Sequence, residues 1–221
     1  MMAMELAICW YWHEEKLVKI FEITGKEHID NALQRGSGII LLSAHFTSLE
    51  IGGRFLGMHV PFNAVYREHK TPFFEDFVKT KRSRYSESTI KKTNVRGMIR
   101  TLKKNKIIWY APDQNFKGMN AVLANFYNIP TRSNTATARL AKVTNAAVIP
   151  FVQKRKKDSS GYELIIMPEM INFPSGNEVN DALQINQLFE GLINQQVADY
   201  YWVHRKFKGS PEPYDNLYAE L

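Results

Sequence analysis

A single cysteine, Cys9, stands in the whole chain, which excludes an internal disulfide and any metal cluster built on paired thiolates. Apolar runs are short, and none reaches the ~18 residues that a membrane-crossing helix needs. The nearest approach, Met1 to Trp12, has no basic stretch before its apolar part and no small-residue cleavage site after it, so it does not read as a signal peptide. No zinc-finger, RNP or Walker pattern accompanies the basic residues. Neither Ser43 nor Ser48 sits in a Gly-x-Ser-x-Gly elbow, so a ping-pong hydrolase using either serine lacks its usual frame. No internal repeat and no interdomain linker interrupts the chain.

What remains is one domain, residues 1–221, long enough to bury a full core. Its 44% hydrophobic and 23% charged content is that of an ordinary globular protein. Positive charge is in excess: the net charge of +7 implies an acidic partner, whether anionic lipid, an acidic carrier protein or nucleic acid. Basic residues gather at Lys79 to Arg84, Arg100 to Lys106 and Lys154 to Lys157, and any one of these clusters reads equally well as a solvated face. Without a nucleic-acid motif beside them, a membrane surface is the better match and nucleic acid is not expected.

The chain is organised around Ile39-Ile40-Leu41-Leu42-Ser43-Ala44-His45-Phe46-Thr47-Ser48-Leu49-Glu50. An apolar run opened by glycines and closed by small and polar residues reads as a strand buried on both faces. Thr47 or Ser48 then caps a helix starting near Leu49. His45 falls in the crevice outside the carboxyl end of a strand, where α/β folds bind ligands. Glu50 sits in the first helical turn, favoured there by the helix dipole, and is expected to reach back to the imidazole. The pair suits general-base catalysis on a substrate hydroxyl, the carboxylate fixing the tautomer. A structural histidine beside a dipole-complementing glutamate fits the same spacing.

Other strand ends deliver further candidates. Asn63 to Tyr66 reads as a strand with Arg67 at its end, placed to bind a phosphate or an acidic group or to pair with Glu68 or Glu75. Lys106 to Ala111 reads as another, followed by Asp113, which suits holding Arg67, orienting a substrate, or bonding its own turn. Ser133-Asn134 caps a helix whose first residues include Thr135, Thr137 and Arg139, and a helix N-terminus accepts an anion. Residues 3–20 read as a helix, as do 26–34, about 72–85, 94–104 and about 180–204. Ala146 to Val152 and Tyr162 to Met167 read as paired strands across a basic turn, and Phe116 to Pro130 as a hairpin or flap over the site. The fold expected is α/β, a single-domain, mostly parallel sheet flanked by helices.

The block His45-Phe46-Thr47-Ser48-Leu49-Glu50-Ile51-Gly52-Gly53-Arg54 resembles the His-x-x-x-x-Asp/Glu signature of the late acyltransferases of bacterial lipid A biosynthesis. Tyr66 to Pro72, Ala111 to Gln114, Ser133 to Ala141, and Asn194-Gln195 leading to Tyr201 to Phe207 resemble that family in the same order, so the likeness spans about residues 5–208. The resemblance implies a glycerolipid-acyltransferase-like fold, and transfer of a fatty acyl group from an acyl-carrier-protein thioester to a 3-hydroxyacyl hydroxyl of a lipid A precursor. It implies His45 and Glu50 as the catalytic pair without an acyl-enzyme, and Arg67 as a contact to substrate or to the reaction centre. Asp113, Asn134, Thr135 and Arg139 are further candidates for substrate binding or charge stabilisation. No cofactor and no metal is expected. Residues 1–35 stand where the family usually has a spanning helix and a further helical segment, so a membrane-proximal segment and peripheral attachment to the cytoplasmic face of the inner membrane are expected. A glycerophospholipid acyltransferase, or a noncatalytic membrane- or anion-binding relative, is the alternative.

Overall fold

The computed structural model describes residues 2–219; Met1, Glu220 and Leu221 lie outside the described residues. In chain order the elements are α1 (Met2–Tyr11), α2 (Glu14–Leu17), β1 (Phe21–Thr24), α3 (Lys26–Gln34), β2 (Ile39–Leu42), α4 (Leu49–Gly57), β3 (Asn63–Tyr66), α5 (Pro72–Arg82), β4 (Ser88–Lys91), α6 (Val95–Lys103), β5 (Ile107–Tyr110), β6 (Ala121–Phe126), β7 (Ile129–Asn134), α7 (Ala136–Thr144), β8 (Ala147–Arg155), β9 (Tyr162–Ile166) and α8 (Glu178–Asn194). Seven strands form one sheet in the order β1-β9-β8-β2-β5-β3-β4, while β6 and β7 pair as a separate hairpin. Only β8 and β9 run antiparallel within the large sheet. The mixed, mostly parallel α/β architecture is therefore as expected.

Strand β2 is fully buried because it is apolar on both faces and lies at the centre, with β8 and β5 on either side. Its residues Ile39 and Leu41 point into one core layer with α3 and α4, and Ile40 and Leu42 into another with α6, α7 and α8. Period-two alternation thus splits one strand between two helical layers. Helix α6 starts where Asn94 Oδ1 accepts from Gly97 N, the expected cap.

Two expected helices are corrected, and two edge strands appear where the sequence offered no reading. The helix read over 3–20 stops at Tyr11, and Phe21–Thr24 forms an edge strand parallel to β9. Gly25, at φ +79°, turns that strand into α3; a Cβ there would lie 1.9 Å from Ile166 O, so only glycine fits. Ser88–Lys91 is the opposite edge strand, and its one buried residue, Ile90, left no apolar run to read. The last helix ends at Asn194, and residues 196–208 turn back instead toward the β2 end.

Candidate active site

Strands β2 and β5 are paired in parallel, Leu42 opposite Tyr110, and Ser43 N donates to Tyr110 O to extend the ladder. Their loops leave the sheet side by side, so His45 and Asp113, each three residues past its strand, meet. His45 Nδ1 lies 2.6 Å from Asp113 Oδ1, and His45 N donates to Asp113 Oδ2 at 3.1 Å. Tyr200 OH donates to the same Oδ2 at 3.0 Å. A carboxylate holding three donors is fully engaged, and its side chain is only 1% exposed.

The electrostatics follow from that packing. Burial alone pushes the His45 pKa down, but the Asp113 carboxylate more than offsets this and the net shift is upward from 6.5. Burial likewise raises Asp113, and the imidazole and the main-chain donor outweigh it, so Asp113 stays ionised with a depressed pKa. With Nδ1–H bonded to the carboxylate, the neutral imidazole carries its lone pair on Nε2, which makes no hydrogen bond among the described residues.

Glu50 does not reach His45, contrary to the expectation from spacing. Helix α4 carries it toward the other side of the crevice, where its carboxylate is paired with the Arg82 guanidinium and accepts from Tyr85 OH at 2.8 Å. Burial favours the protonated acid, yet Arg82 prevails and lowers the Glu50 pKa. In the sequence Arg82 reads only as part of a basic run. The missed signal is its place at the last turn of α5 beside Tyr85, the two residues that face Glu50.

His45, Glu50, Arg67, Arg82, Asn134, Thr135 and Arg139 all line one cavity of about 650 Å³, together with Val65, Val95, Met98, Ile99, Tyr110, Leu140 and Val143. Asp113 sits behind His45 rather than on the wall. Arg67 is exposed and makes no ion pair among the described residues, neither with Glu68 nor with Glu75. Asn134 Oδ1 accepts from Ala136 N and its Nδ2 donates to Tyr110 OH, so it orients both the start of α7 and a wall residue. Thr135 Oγ1 donates to Asn120 O, and Arg139 pairs with Glu178 at the surface. The β6–β7 hairpin does not cover the cavity; Asn186 of α8 holds it through Ala124 O, Asn125 O and Ser133 Oγ. Phe116 and Asn120, from the loop before it, reach the wall instead.

The His45 loop is braced from behind. Thr47 N donates to Asp199 O, Tyr201 N donates to His45 O, and Asn115 N donates to His204 Nε2. Arg155 donates to both oxygens of Glu5 at 2.7 and 2.6 Å and to Thr47 Oγ1 at 2.9 Å, and is also paired with Asp199. Tyr200, Asp199 and Arg155 carried no readable motif.

Chemically, this is a buried carboxylate holding a half-buried imidazole, whose Nε2 is free at the floor of a largely apolar cavity with guanidinium groups on its wall. No serine or cysteine hydrogen-bonds His45 among the described residues. Ser43 Oγ donates to Ala44 O, and the Cys9 thiol donates to Glu50 O, its pKa pushed up by burial to about 12.

The chain matches the family described as bacterial lipid A biosynthesis acyltransferase over residues 1–209. It is 32% identical over 216 residues to the lipid A biosynthesis lauroyltransferase of Escherichia coli, covering 97% of this chain and 71% of the relative. It is 33% identical over 220 residues to the palmitoleoyltransferase of the same organism, 99% and 71%. A lipid A biosynthesis acyltransferase of Haemophilus influenzae is 32% identical, 96% and 68%. Among solved structures, the 1-acyl-sn-glycerophosphate acyltransferase of Thermotoga maritima superposes with a TM-score of 0.46 at 13% identity, over 90% of this chain and 89% of that one.

Proposed function

From the premise that the chain belongs to the bacterial lipid A biosynthesis acyltransferases, we propose that it carries a fatty acyl group from an acyl-carrier-protein thioester to the hydroxyl of a 3-hydroxyacyl chain on a lipid A precursor, with His45 as general base. Nε2 takes the hydroxyl proton as the alkoxide oxygen attacks the thioester carbonyl. The tetrahedral intermediate collapses, the carbon–sulfur bond breaks, and the thiolate leaves with the proton held by the imidazolium. Asp113 keeps Nδ1 protonated and steadies the imidazolium. The observation that carries this reading is the 2.6 Å His45–Asp113 contact at a cavity with no activated protein nucleophile.

In this reading Glu50 acts through Arg82, holding the guanidinium on the cavity wall, and not through His45. Arg67 meets a phosphate of the acceptor; Asn134, Thr135 and the start of α7 face the developing oxyanion, and Arg139 lies at the rim. Val65, Met98, Ile99, Leu140 and their neighbours take the acyl chain. The reaction is placed at the cytoplasmic face of the inner membrane, with residues 1–35 as a membrane-proximal segment. Exposed Tyr11, Trp12, Phe73 and Phe74 support contact with an interface, and no helix among the described residues is long and apolar enough to cross a membrane.

The test is transfer of radiolabelled lauroyl groups from acyl carrier protein to a lipid A precursor, with wild type and His45→Ala side by side. Loss of ~10²–10⁴-fold with unchanged melting is expected. A His45→Ala chain that turns over like wild type would sink the mechanism.

A further inference from the structure

Of the three basic clusters in the sequence, two have most of their charges engaged by partners within the chain. In the first, Lys79 pairs with Glu75, Lys81 lies over the rings of Tyr11 and Phe77, Arg82 pairs with Glu50, and Arg84 donates to Trp10 O. In the third, Lys154 donates to Gln195, Arg155 is held by Glu5 and Asp199, and Lys156 pairs with Glu22, which leaves Lys157 exposed and without an ion pair among the described residues. The second is different: of its charges only Lys106 is paired among the described residues, with Glu87. Arg96, Arg100 and Lys103 stand one helical stripe apart on α6, at i, i+4 and i+7, all exposed and without an ion pair or side-chain hydrogen bond among the described residues. Lys142 on the adjacent α7 is exposed and free in the same sense. Neither helix contains an acidic residue.

This cationic stripe borders the cavity. Met98 and Leu102 bury one side of α6, Val95 and Ile99 face the cavity, and the stripe takes the solvent side. On α7, Val143 is both 57% exposed and part of the cavity wall, as is Val95 at 51%. An acyl chain thus has an apolar entry flanked by unpaired cations.

We propose that the solvent face of α6 with Lys142 of α7 is the docking surface for the acidic acyl carrier protein. The proposal rests on the donor reading given above. A protein that delivers a chain on a flexible arm needs a surface beside the entry, not over the reacting atoms. A lipid bilayer fits this face less well, because it exposes no aromatic side chain, and interfacial contacts favour Trp and Tyr. Exposed aromatics lie elsewhere: Tyr11 on α1, Trp12 just after it, Phe73 and Phe74 on α5, and Trp202 past α8. Free cations of one sign steer an acidic partner and set its on-rate.

The test uses the full chain with Arg96→Glu and Arg100→Glu together, and a control with the same charge change at Lys157→Glu and Lys208→Glu, both exposed and without an ion pair among the described residues. Donors are lauroyl acyl carrier protein and uncharged lauroyl-pantetheine; binding of fluorescently labelled carrier protein is read separately by anisotropy. The α6 variant should raise KM for the carrier and weaken carrier binding about tenfold or more, with flatter salt dependence, while turnover of lauroyl-pantetheine and melting stay unchanged. Arg96→Gln with Arg100→Gln should give a smaller loss of the same kind. If the control loses as much, or the α6 variant loses nothing while wild type uses the carrier, the docking surface is overturned and the donor reading stands. If the α6 variant instead loses only binding to phosphatidylglycerol vesicles, the face is a membrane contact and the proposal fails. If wild type takes lauroyl groups from pantetheine but neither binds nor uses the carrier, the donor reading falls and the docking surface with it.

Discussion

The two sides of the cavity carry similar amounts of positive charge and differ in what that charge is doing. On the α5 side, Arg82 is locked to Glu50, which also accepts from Tyr85 OH, and Lys81 is stacked on aromatic rings. On the α6 side, Arg96 and Arg100 face solvent with no partner among the described residues. A guanidinium already neutralised by a buried carboxylate shapes a wall; one left free projects a field into solution. Counting charges along the chain cannot separate the two, because the acceptor of Arg82 is Glu50 and that of Arg155 is Glu5, both remote in sequence from the bases they satisfy.

The largest expected effect lies on the floor between the two sides. Asp113→Asn should lower kcat on the order of 10²-fold or more, because the imidazole loses the group that fixes its tautomer. The pH profile checks the cause. In the wild type the base form of His45 is lost as pH falls through a pKa raised above 6.5, so the acidic limb of kcat/KM should have its midpoint above that value. Removing the carboxylate leaves burial and the Arg82 guanidinium pushing the pKa down, opposed only by Glu50, and the midpoint should move to lower pH. An unmoved limb would mean that another group titrates.

Next is the locked side. Arg82→Ala leaves Glu50 without its counterion at a site about one-fifth exposed, and should destabilise the fold by about 2 kcal/mol, a fall in Tm of roughly 5 °C for a chain of this size. The pair also sets a pH dependence. Glu50 has a depressed pKa, so its contribution is present above the ordinary value of 4.5 and is lost as pH falls toward the folded-state pKa. Arg82→Ala should abolish that dependence, and Glu50→Gln on the same background should recover part of the stability. The smallest effect belongs to the free side: Arg96→Glu with Arg100→Glu should change stability by less than about 0.5 kcal/mol per site. A melting shift as large as that of Arg82→Ala would erase the distinction between the two sides.

What was legible follows the same division between local and distant causes. Strands β2, β3 and β5 and helices α3, α4 and α6 announce themselves through apolar runs, amphipathic spacing and caps, and His45 and Arg67 could be placed at strand ends on that basis. Strand β4, with one buried residue, has no such pattern. The break after Tyr11 contains neither Gly nor Pro. The partner of His45 depends on β2 lying against β5 in a fixed register, a fact held by pairing between residues more than sixty positions apart. Glu50 was the nearer carboxylate in sequence and Asp113 the nearer in space. Arg82 was hidden for the converse reason: a half-buried cation in a basic run looks like its neighbours until its acceptor is known.

The edge strand β1 has one further consequence, for the order in which the chain is made. Residues 21–24 find their sheet neighbour only at residues 162–165, and Glu5 meets Arg155 across a comparable gap. During synthesis from the N-terminus, the first strand therefore has to wait, unpaired, while the central strands are laid down. Long-range pairing of this kind slows folding and leaves an edge open to wrong partners. The brace that Arg155 makes with Thr47 forms on the same late schedule, so the loop bearing His45 reaches its final setting only when the sheet closes.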